Sequence, residues 1–364
     1  MTPKGILDQI SPSVLADIMA RASARVSDGV VTPGAALPAA KTDFPKVLCL
    51  DTNFWIGLAQ AHHGRPEGLR FGPALAAIID ATSRGKLLVP VLPTPFLEVG
   101  EVADPGRRER LARFMVTLSG NCSMWGGDLV LRAELRRAVL TQYRQEEPRT
   151  FRTRLVNGGM QAAAGVSKRA VMPDPLSQRL YDEVLRDPEL SAQMLHHGFD
   201  PALASEGREL DRAGVEVFTK IKRECAGMTV AEQTRSELWN LMERGNVEAV
   251  LAGVLSELTI DAVIFNTWLR QDDHFVTFFR AVPSQDCGMT LLAERDKNRD
   301  HAPDVNDTKD FAFLDTALPY ANVVATEKSW AHLAKVSGLA AKYETKITSA
   351  PDELVELLAA EGCG

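Results

Sequence analysis

The sequence predicts an α/β protein in which a long helical insertion interrupts a central parallel sheet. A compact apolar run at residues 47–50 has the length and flanks of a buried strand, and a helical pattern follows over residues 54–62. A second helix at about 73–84 leads into another apolar run at 87–92. Strand, helix and strand in this order are typical of parallel sheets with right-handed crossovers. Residues from about 105 to 283 instead carry helical spacing with few strand-like runs.

The other predicted elements complete this organisation. Residues 1–26 form an amphipathic helix in which Ser11 and Pro12 supply the N-cap and the first-turn proline, and a small-residue linker follows. Within the insertion, helices are predicted at 133–143, 207–226 and 230–269. Towards the C-terminus we predict a helix at 307–318 that Pro319 ends, a strand at 323–326, a helix at 329–336, a strand at 345–348 and a helix at 352–360. The predicted units are 1–45 (N-terminal helix and linker), 46–104 (first half of the α/β domain), 105–285 (helical insertion) and 286–364 (second half).

Composition and charge narrow the function classes. The formal net charge of −7 gives no bulk attraction to nucleic acid, so such binding would depend on a local patch. The most apolar stretch, residues 249–269, is interrupted by Glu257, Asp261 and Asn266, which favours a buried helix over a membrane span. The N-terminus lacks the pattern of a secretory signal, and five cysteines without motif spacing suit reduced thiols. We therefore expect a cytoplasmic protein without a membrane partner.

Asp51 directly follows the first predicted strand. Ligands of open parallel sheets bind beyond the carboxyl ends of the strands, which makes Asp51 a candidate site residue. The alternative is that Asp51 caps the next helix, and Asn53 has the same alternative. A lone aspartate after a strand favours capping, so the assignment depends on partners elsewhere in the chain.

Glu98 is the second candidate. It follows a strand and a proline-rich turn, and it lies about one turn into a helix that begins near Thr94. From there its side chain could reach back toward the strand ends. The alternative is a solvated glutamate on the helix surface, and Glu101, three residues further on, is a reserve candidate.

The third candidate segment, residues 304–315, is rich in acids. Asp307 and Asp310 are three residues apart and therefore neighbours on one helix face. Capping explains Asp307 well, but it explains less well why Asp304 and Asp315 crowd the same helix. Asp315 points elsewhere, so we do not assign it to the site.

Carboxylates gathered at strand ends repel one another unless a cation neutralises them. Mg²⁺ and Mn²⁺ prefer such oxygen ligands, and substrate phosphates complete their coordination shell. Ions held in this way support hydrolysis of phosphodiester bonds. A site of carboxylates alone, without organised His or Cys ligands, suits this chemistry.

The order of these motifs resembles the PIN domain. Leu50-Asp51-Thr52-Asn53 is followed by the segment 89–98, which ends in Glu98, and then by Asp310, sixteen residues before Thr326. Residues 306–328 also resemble a bacterial branch of larger PIN-like proteins of unassigned role. The resemblance covers roughly residues 46–104 and 288–350. It implies a three-layer α/β/α fold and a Mg²⁺- or Mn²⁺-dependent nuclease, usually one that cleaves RNA and leaves a 5′-phosphate.

The resemblance also implies roles for individual residues. Three metal ligands and two supporting polar groups near the substrate are carried over: Asp51, Glu98 and Asp310, and Asn53 and Thr326. The sequence departs from the family at the fourth acid, which usually follows the threonine by a few residues. Either Glu327 or Asp307 replaces it, and we expect Asp307, one turn before Asp310, to be the fourth catalytic acid and metal ligand.

The insertion begins with an arginine-rich region, in which eleven arginines lie between Arg107 and Arg154. Guanidinium groups bind phosphates and stack on bases, so this region is a candidate RNA surface. The arginines assigned to substrate binding are Arg107, Arg108, Arg136 and Arg137. The alternative is a solvated helical face, since arginine favours helices and nearby glutamates offer ion-pair partners.

The leading hypothesis is an endoribonuclease whose insertion restricts the choice of RNA, which would suit a toxin or defence effector with a regulatory protein partner. A second hypothesis is an RNA-binding or scaffold module that keeps the fold and has lost catalysis. A structure-specific DNA nuclease ranks third, because such enzymes usually carry more clustered acids. A phosphatase with Asp51 as nucleophile ranks fourth, because Asn53 occupies the place where that mechanism commonly needs a second aspartate.

Overall fold

The computed structural model describes residues 10–28, 43, 45–143, 155–165, 171–197, 201–225, 227–228, 232, 247–271, 273–298, 300 and 302–364. The strands are β1 (Lys46–Leu50), β2 (Leu87–Leu88), β3 (Cys122–Met124), β4 (Val156–Gly158), β5 (Val323–Ala325) and β6 (Lys346–Thr348). The α-helices are α1 (Pro12–Ser27), α2 (Thr52–His62), α3 (Gly72–Ser83), α4 (Pro93–Gly100), α5 (Pro105–Leu118), α6 (Gly127–Gln142), α7 (Pro175–Leu185), α8 (Pro188–His197), α9 (Pro201–Glu224), α10 (Val247–Glu257), α11 (Ala262–Leu269), α12 (His274–Arg280), α13 (Pro283–Asp296), α14 (Val305–Tyr320), α15 (Lys328–Val336), α16 (Leu339–Lys342) and α17 (Pro351–Ala360). A 3₁₀ helix spans Pro66–Phe71.

A four-stranded parallel sheet in the order β2-β1-β5-β6 forms the centre of the fold. After β1 the chain crosses through α2 and α3 to β2 on one side, and much later it returns to pair β5 with the other side of β1. The strand order therefore reverses at β1. Crevices that bind ligands form at such a switch point, beyond the carboxyl ends of the strands. The predicted α/β class with a parallel sheet is confirmed.

Helices cover both faces of this sheet. Successive residues of a strand point to opposite faces, so Leu48 and Leu50 pack into one core cluster with α2, α3, α4, α5 and α17. Val47 and Cys49 pack on the other face with α13, α14 and α15. Because both faces are buried, β1 carries an uninterrupted apolar run rather than an alternating one.

The helices of the predicted insertion contribute to these same cores. Phe218 of α9 joins the cluster on the α14 face, and Leu195 of α8 joins the cluster on the α2 face. A third cluster, formed by α6 and α10 to α13, is centred on Phe265 and Phe279. The insertion is thus partly built into the α/β core and partly a helical layer of its own.

The N-terminal helix α1 has the predicted cap. The Ser11 side chain accepts a hydrogen bond from the Val14 backbone N–H, and a proline occupies the first turn. The helix is fixed to α7 and to the start of α8 by ion pairs of Arg21 with Asp187 at 2.8 Å and of Arg25 with Glu183 at 3.0 Å. Residues 1–9 and most of the predicted linker lie outside the described residues.

Two predicted elements near the site have different bounds. The strand predicted at 87–92 is only Leu87–Leu88, and Val91 then forms an isolated bridge with Ser123 of the β3–β4 pair. Pro319 does not end its helix, because α14 continues to Tyr320 with the proline in its last turn. Burial of Tyr320 in the core outweighs the one backbone donor that the proline lacks.

The segment predicted as one helix at 230–269 is also different. Its described part forms two helices, because Thr259 adopts a left-handed φ of 55° and Asp261 caps α11 through the backbone N–H groups of Val263 and Ile264. Residues 229–231 and 233–246 lie outside the described part of the chain.

Two broader expectations can also be compared with the structure. All five cysteines are buried, and none of them forms a disulfide in the structure. Within the described residues, no helix combines the length and the apolar character that crossing a membrane requires.

Candidate functional site

A cleft of about 320 Å³ opens at the carboxyl end of β1, between α2, α4, α14 and the turn that follows β5. Four carboxylates and four neutral polar side chains contribute to its lining. They are Asp51, Glu98, Asp310 and Glu327, and Thr52, Asn53, Thr94 and Asn306. Residues from four distant segments of the chain therefore meet at the switch point of the sheet.

Asp51 ends β1 and also caps α2. Its Oδ1 accepts a hydrogen bond from the Phe54 backbone N–H at 2.9 Å, and its own backbone N–H donates to the Ala325 carbonyl at 3.0 Å. The residue is 5% exposed, and no described residue donates a hydrogen bond to Oδ2. Capping therefore does not exclude a site role, because one oxygen caps the helix and the other has no hydrogen-bond partner among the described residues.

The environment of Asp51 favours its protonated form. Burial is the largest cause, and together with the charges of Glu327 and Glu98 it raises the pKa of Asp51 to about 7. The Phe54 N–H opposes this shift. The Thr326 hydroxyl opposes it as well, although no hydrogen bond of normal geometry joins the two side chains. Asp51 thus changes charge near neutral pH.

Glu98 lies in the second turn of α4 and is 24% exposed. Its Oε2 accepts a hydrogen bond from the Thr52 hydroxyl, and its Oε1 lies 3.9 Å from the Lys309 ammonium. The same ammonium forms a shorter ion pair of 2.7 Å with Glu101, the reserve candidate. Glu98 therefore faces the cleft, while Glu101 holds Lys309 beside it.

Asp310 lies in the second turn of α14. Its Oδ2 accepts a hydrogen bond from the Trp330 indole N–H at 2.7 Å, which fixes the carboxylate against α15. Burial and the charges of Glu327, Asp51 and Glu98 raise the pKa of Asp310 to about 7, against the effect of the Trp330 bond. The two aspartates respond to the same neighbouring acids, Glu327 and Glu98, and the charge of Asp51 also contributes to the raised pKa of Asp310.

Glu327 is the fourth carboxylate of the cleft. It follows Thr326 at the end of β5, and its Oε1 accepts a hydrogen bond from Asn53 Nδ2 at 2.7 Å. Both side chains are exposed. Thr326 is fully buried, and its hydroxyl has no hydrogen-bond partner among the described residues.

Asp307 is placed differently from the expectation. It forms a capping box with Asp304, in which each carboxylate accepts the backbone N–H of the other residue at 3.0 and 3.1 Å. Its Oδ2 also lies 3.6 Å from Arg295, which is buried. Because these contacts engage the carboxylate at the start of α14, the structure brings Glu327 rather than Asp307 to the cleft.

The arginines predicted to bind substrate do not line the cleft either. Arg108 donates to the carbonyls of Gly100 and Val102, each at 3.2 Å, and thereby supports the turn after α4. The other three, Arg107, Arg136 and Arg137, are exposed outside the cleft lining. These arginines are close together in the sequence but do not lie beside the acids. The apolar residues of α5 and α6 determine which side of each helix is buried, and therefore also the direction in which the arginines point.

The donor set can be compared with the needs of a divalent cation. Carboxylate oxygens suit Mg²⁺ or Mn²⁺, the Oδ2 atom of Asp51 is buried without a hydrogen bond, and clustered acids are relieved by a cation. In the described part of the chain, however, no three His, Cys, Asp or Glu side chains stand close enough to form a preformed metal group. The residues fit such an ion chemically, and coordination would require the carboxylates to come closer together than they are here.

Several residues of the site were not predicted. Thr52 and Trp330 orient Glu98 and Asp310, and Lys309 lies beside Glu98. The position of Thr52 next to Asp51 is a signal that could have identified it. For Trp330, twenty residues from its partner, the sequence carries no such signal.

Comparison of the chain with protein-family models, curated proteins and solved structures found no match.

Proposed function

We propose that the chain is a metal-dependent nuclease of the PIN-like type, and that RNA is its substrate. The observation that supports this most is the meeting of Asp51, Glu98, Asp310 and Glu327 in one cleft at the switch point of a parallel sheet. The order of Asp51, Glu98 and Asp310 along the chain is the order on which the resemblance rests.

The residues of the cleft would have the following roles. Asp51, Glu98, Asp310 and Glu327 hold Mg²⁺ or Mn²⁺ through their carboxylate oxygens. A cation bound there supplies Lewis acidity, lowers the pKa of water and neutralises charge on the scissile phosphate. Trp330 keeps the carboxylate of Asp310 in one orientation, which reduces the entropy lost on ligand binding.

One observation favours the second hypothesis, a module that binds RNA without cleaving it. The Lys309 ammonium already lies 3.9 Å from Glu98 and 2.7 Å from Glu101, and a cation of the protein's own could take the place of a metal. The Asp51 and Asp310 carboxylates, by contrast, have no basic partner among the contacts described. The lack of a basic partner at these two aspartates favours the metal-dependent enzyme over the module that binds RNA without cleaving it.

The test is cleavage of single-stranded RNA by the purified chain with Mn²⁺, with EDTA, and with the variant Asp310→Asn. We expect cleavage that needs Mn²⁺ and falls at least a hundredfold in the variant. Asp304→Asn is the matched control, because Asp304 caps the same helix and asparagine caps equally well. Cleavage that survives Asp310→Asn would remove Asp310 from the mechanism. Mn²⁺-independent binding without cleavage would support the scaffold hypothesis.

A further inference from the structure

A second cavity of about 440 Å³ adjoins the acidic cleft. Asp51, Asn53 and Glu327 belong to the walls of both, so the hydrogen bond between Asn53 and Glu327 lies where the cavities meet. The second cavity runs between α2, the 3₁₀ helix and Ser349, which follows β6. Together the two cavities form a track along the carboxyl edge of the sheet, from the α4 side to the β6 side.

The charge distribution along this track is uneven. Both cavities are lined by acids, but only the second also contains Arg70, the one positive charge among the described residues that line either cavity. The Arg70 guanidinium lies 5.0 Å from the centre of the Phe71 ring, a cation–π contact that restricts its position. Gln60 adds a neutral polar side chain, and Glu67 adds a carboxylate.

These features match a substrate with regularly spaced phosphates. A guanidinium group offers several N–H donors in a plane that fits phosphate oxygens. Each cavity has the volume of a small-ligand site, a few hundred Å³, which matches single unpaired nucleotides better than the wider base-paired helix. A strand with its scissile phosphate at the acids would carry a neighbouring phosphate into the second cavity.

We propose that the second cavity is a phosphate subsite for single-stranded nucleic acid, with Arg70 as the residue that binds the phosphate. The inference rests on the proposed function and adds that the substrate strand is longer than a dinucleotide. In this proposal Arg70, rather than the arginines of α5 and α6, is the cationic residue of the substrate site.

The experiment measures binding of a fluorescently labelled single-stranded RNA dodecamer by anisotropy, in Mg²⁺, with Asp310→Asn protein so that the strand stays intact. Arg70→Gln should weaken binding about tenfold and lower the slope of log affinity against log salt by about one. Arg65→Gln is the matched control, since Arg65 is exposed at the start of the same 3₁₀ helix and lines neither cavity. Arg70→Lys should retain part of the affinity, because it keeps the charge and loses the planar donors.

Equal dodecamer binding by Arg70→Gln and Arg65→Gln would overturn the subsite. So would an equal loss for a labelled dinucleotide, because a strand confined to the acidic cleft should not sense Arg70. The proposed function fails in a different way, through absence of Mn²⁺-dependent cleavage by the unmodified chain. Arg70-dependent binding of the dodecamer, together with no Mn²⁺-dependent cleavage by the unmodified chain, would support the subsite and refute the nuclease.

Discussion

The variant Asp51→Asn is expected to stabilise the metal-free protein above neutral pH and to remove its response to divalent cations. Asp51 has a raised pKa in the folded protein, about 7 against an ordinary value of 3.8. The folded state therefore binds the proton more tightly than the unfolded state. By linkage, the stability of the protein falls as the pH rises from about 4 to about 7, and the whole penalty remains at higher pH.

The size of this penalty follows from the same values. At 1.36 kcal/mol per pKa unit, the difference between 3.8 and about 7 corresponds to about 4 kcal/mol. Part of the shift depends on the charges of neighbouring acids. We therefore expect Asp51→Asn to raise the free energy of unfolding by roughly 2–4 kcal/mol at pH 8. Asparagine can still accept the Phe54 N–H bond and cap α2. With an unfolding entropy of about 2.1 cal/mol/K per residue, this gain corresponds to roughly 3–5 °C in Tm for the 364-residue chain.

The assay is thermal unfolding of both proteins in EDTA between pH 5 and pH 8.5, repeated with Mn²⁺. The difference in Tm should be less than half of its full size at pH 5 and reach its full size above pH 7, and Mn²⁺ should raise the Tm of the unmodified protein alone. Because Mn²⁺ would displace protons from Asp51 and Asp310, its affinity should also increase with pH up to about 8. A variant that is less stable than the unmodified protein at pH 8 in EDTA would refute the reasoning, since Asp51 would then have a favourable partner.

Three further predictions concern other groups. Glu327→Gln should reduce RNA cleavage at least tenfold, whereas Asp307→Asn, which keeps the capping geometry, should change initial rates less than threefold. Lys309→Met removes the ammonium beside Glu98, so the Mn²⁺ dissociation constant measured by calorimetry should fall severalfold; an unchanged constant would mean that Lys309 does not compete. Tyr320→Phe removes the hydrogen bond that the Tyr320 hydroxyl donates to the buried carboxylate of Glu134. It should lower the free energy of unfolding, measured in urea, by about 1–3 kcal/mol and leave the Mn²⁺ affinity unchanged.

Much of the α/β framework could be predicted from the sequence, because a strand that is buried on both faces has a continuous apolar sequence. The continuous apolar run at 47–50 is typical of a strand inside a parallel sheet, and the structure shows it as β1 between β2 and β5. The helices beside it are marked by their caps and by apolar spacing. The break between α10 and α11 was missed, because a left-handed Thr259 and a short cap leave the apolar spacing nearly continuous.

The candidate site could be predicted only in part. Asp51 was identified because it follows a strand and Glu98 because it could reach back toward the strand ends. Asp310 was identified because acids crowd the start of its helix and because its spacing to Thr326 resembles the PIN domain. The choice between Asp307 and Glu327 could not be made from spacing, since both lie within a few residues of the motif. It depends on Arg295 and the capping box, which engage Asp307 at the helix start.

The sequence by itself determined the main strands and helices of the α/β framework and the position of Asp51 at a strand end, because those features depend on local patterns of polarity. Only the tertiary structure decided which charges share a cleft. The direction in which a helix turns its charged face depends on what its apolar face packs against, so the many arginines of α5 and α6 lie outside the acidic cleft, while the single Arg70 lies in the cavity beside it.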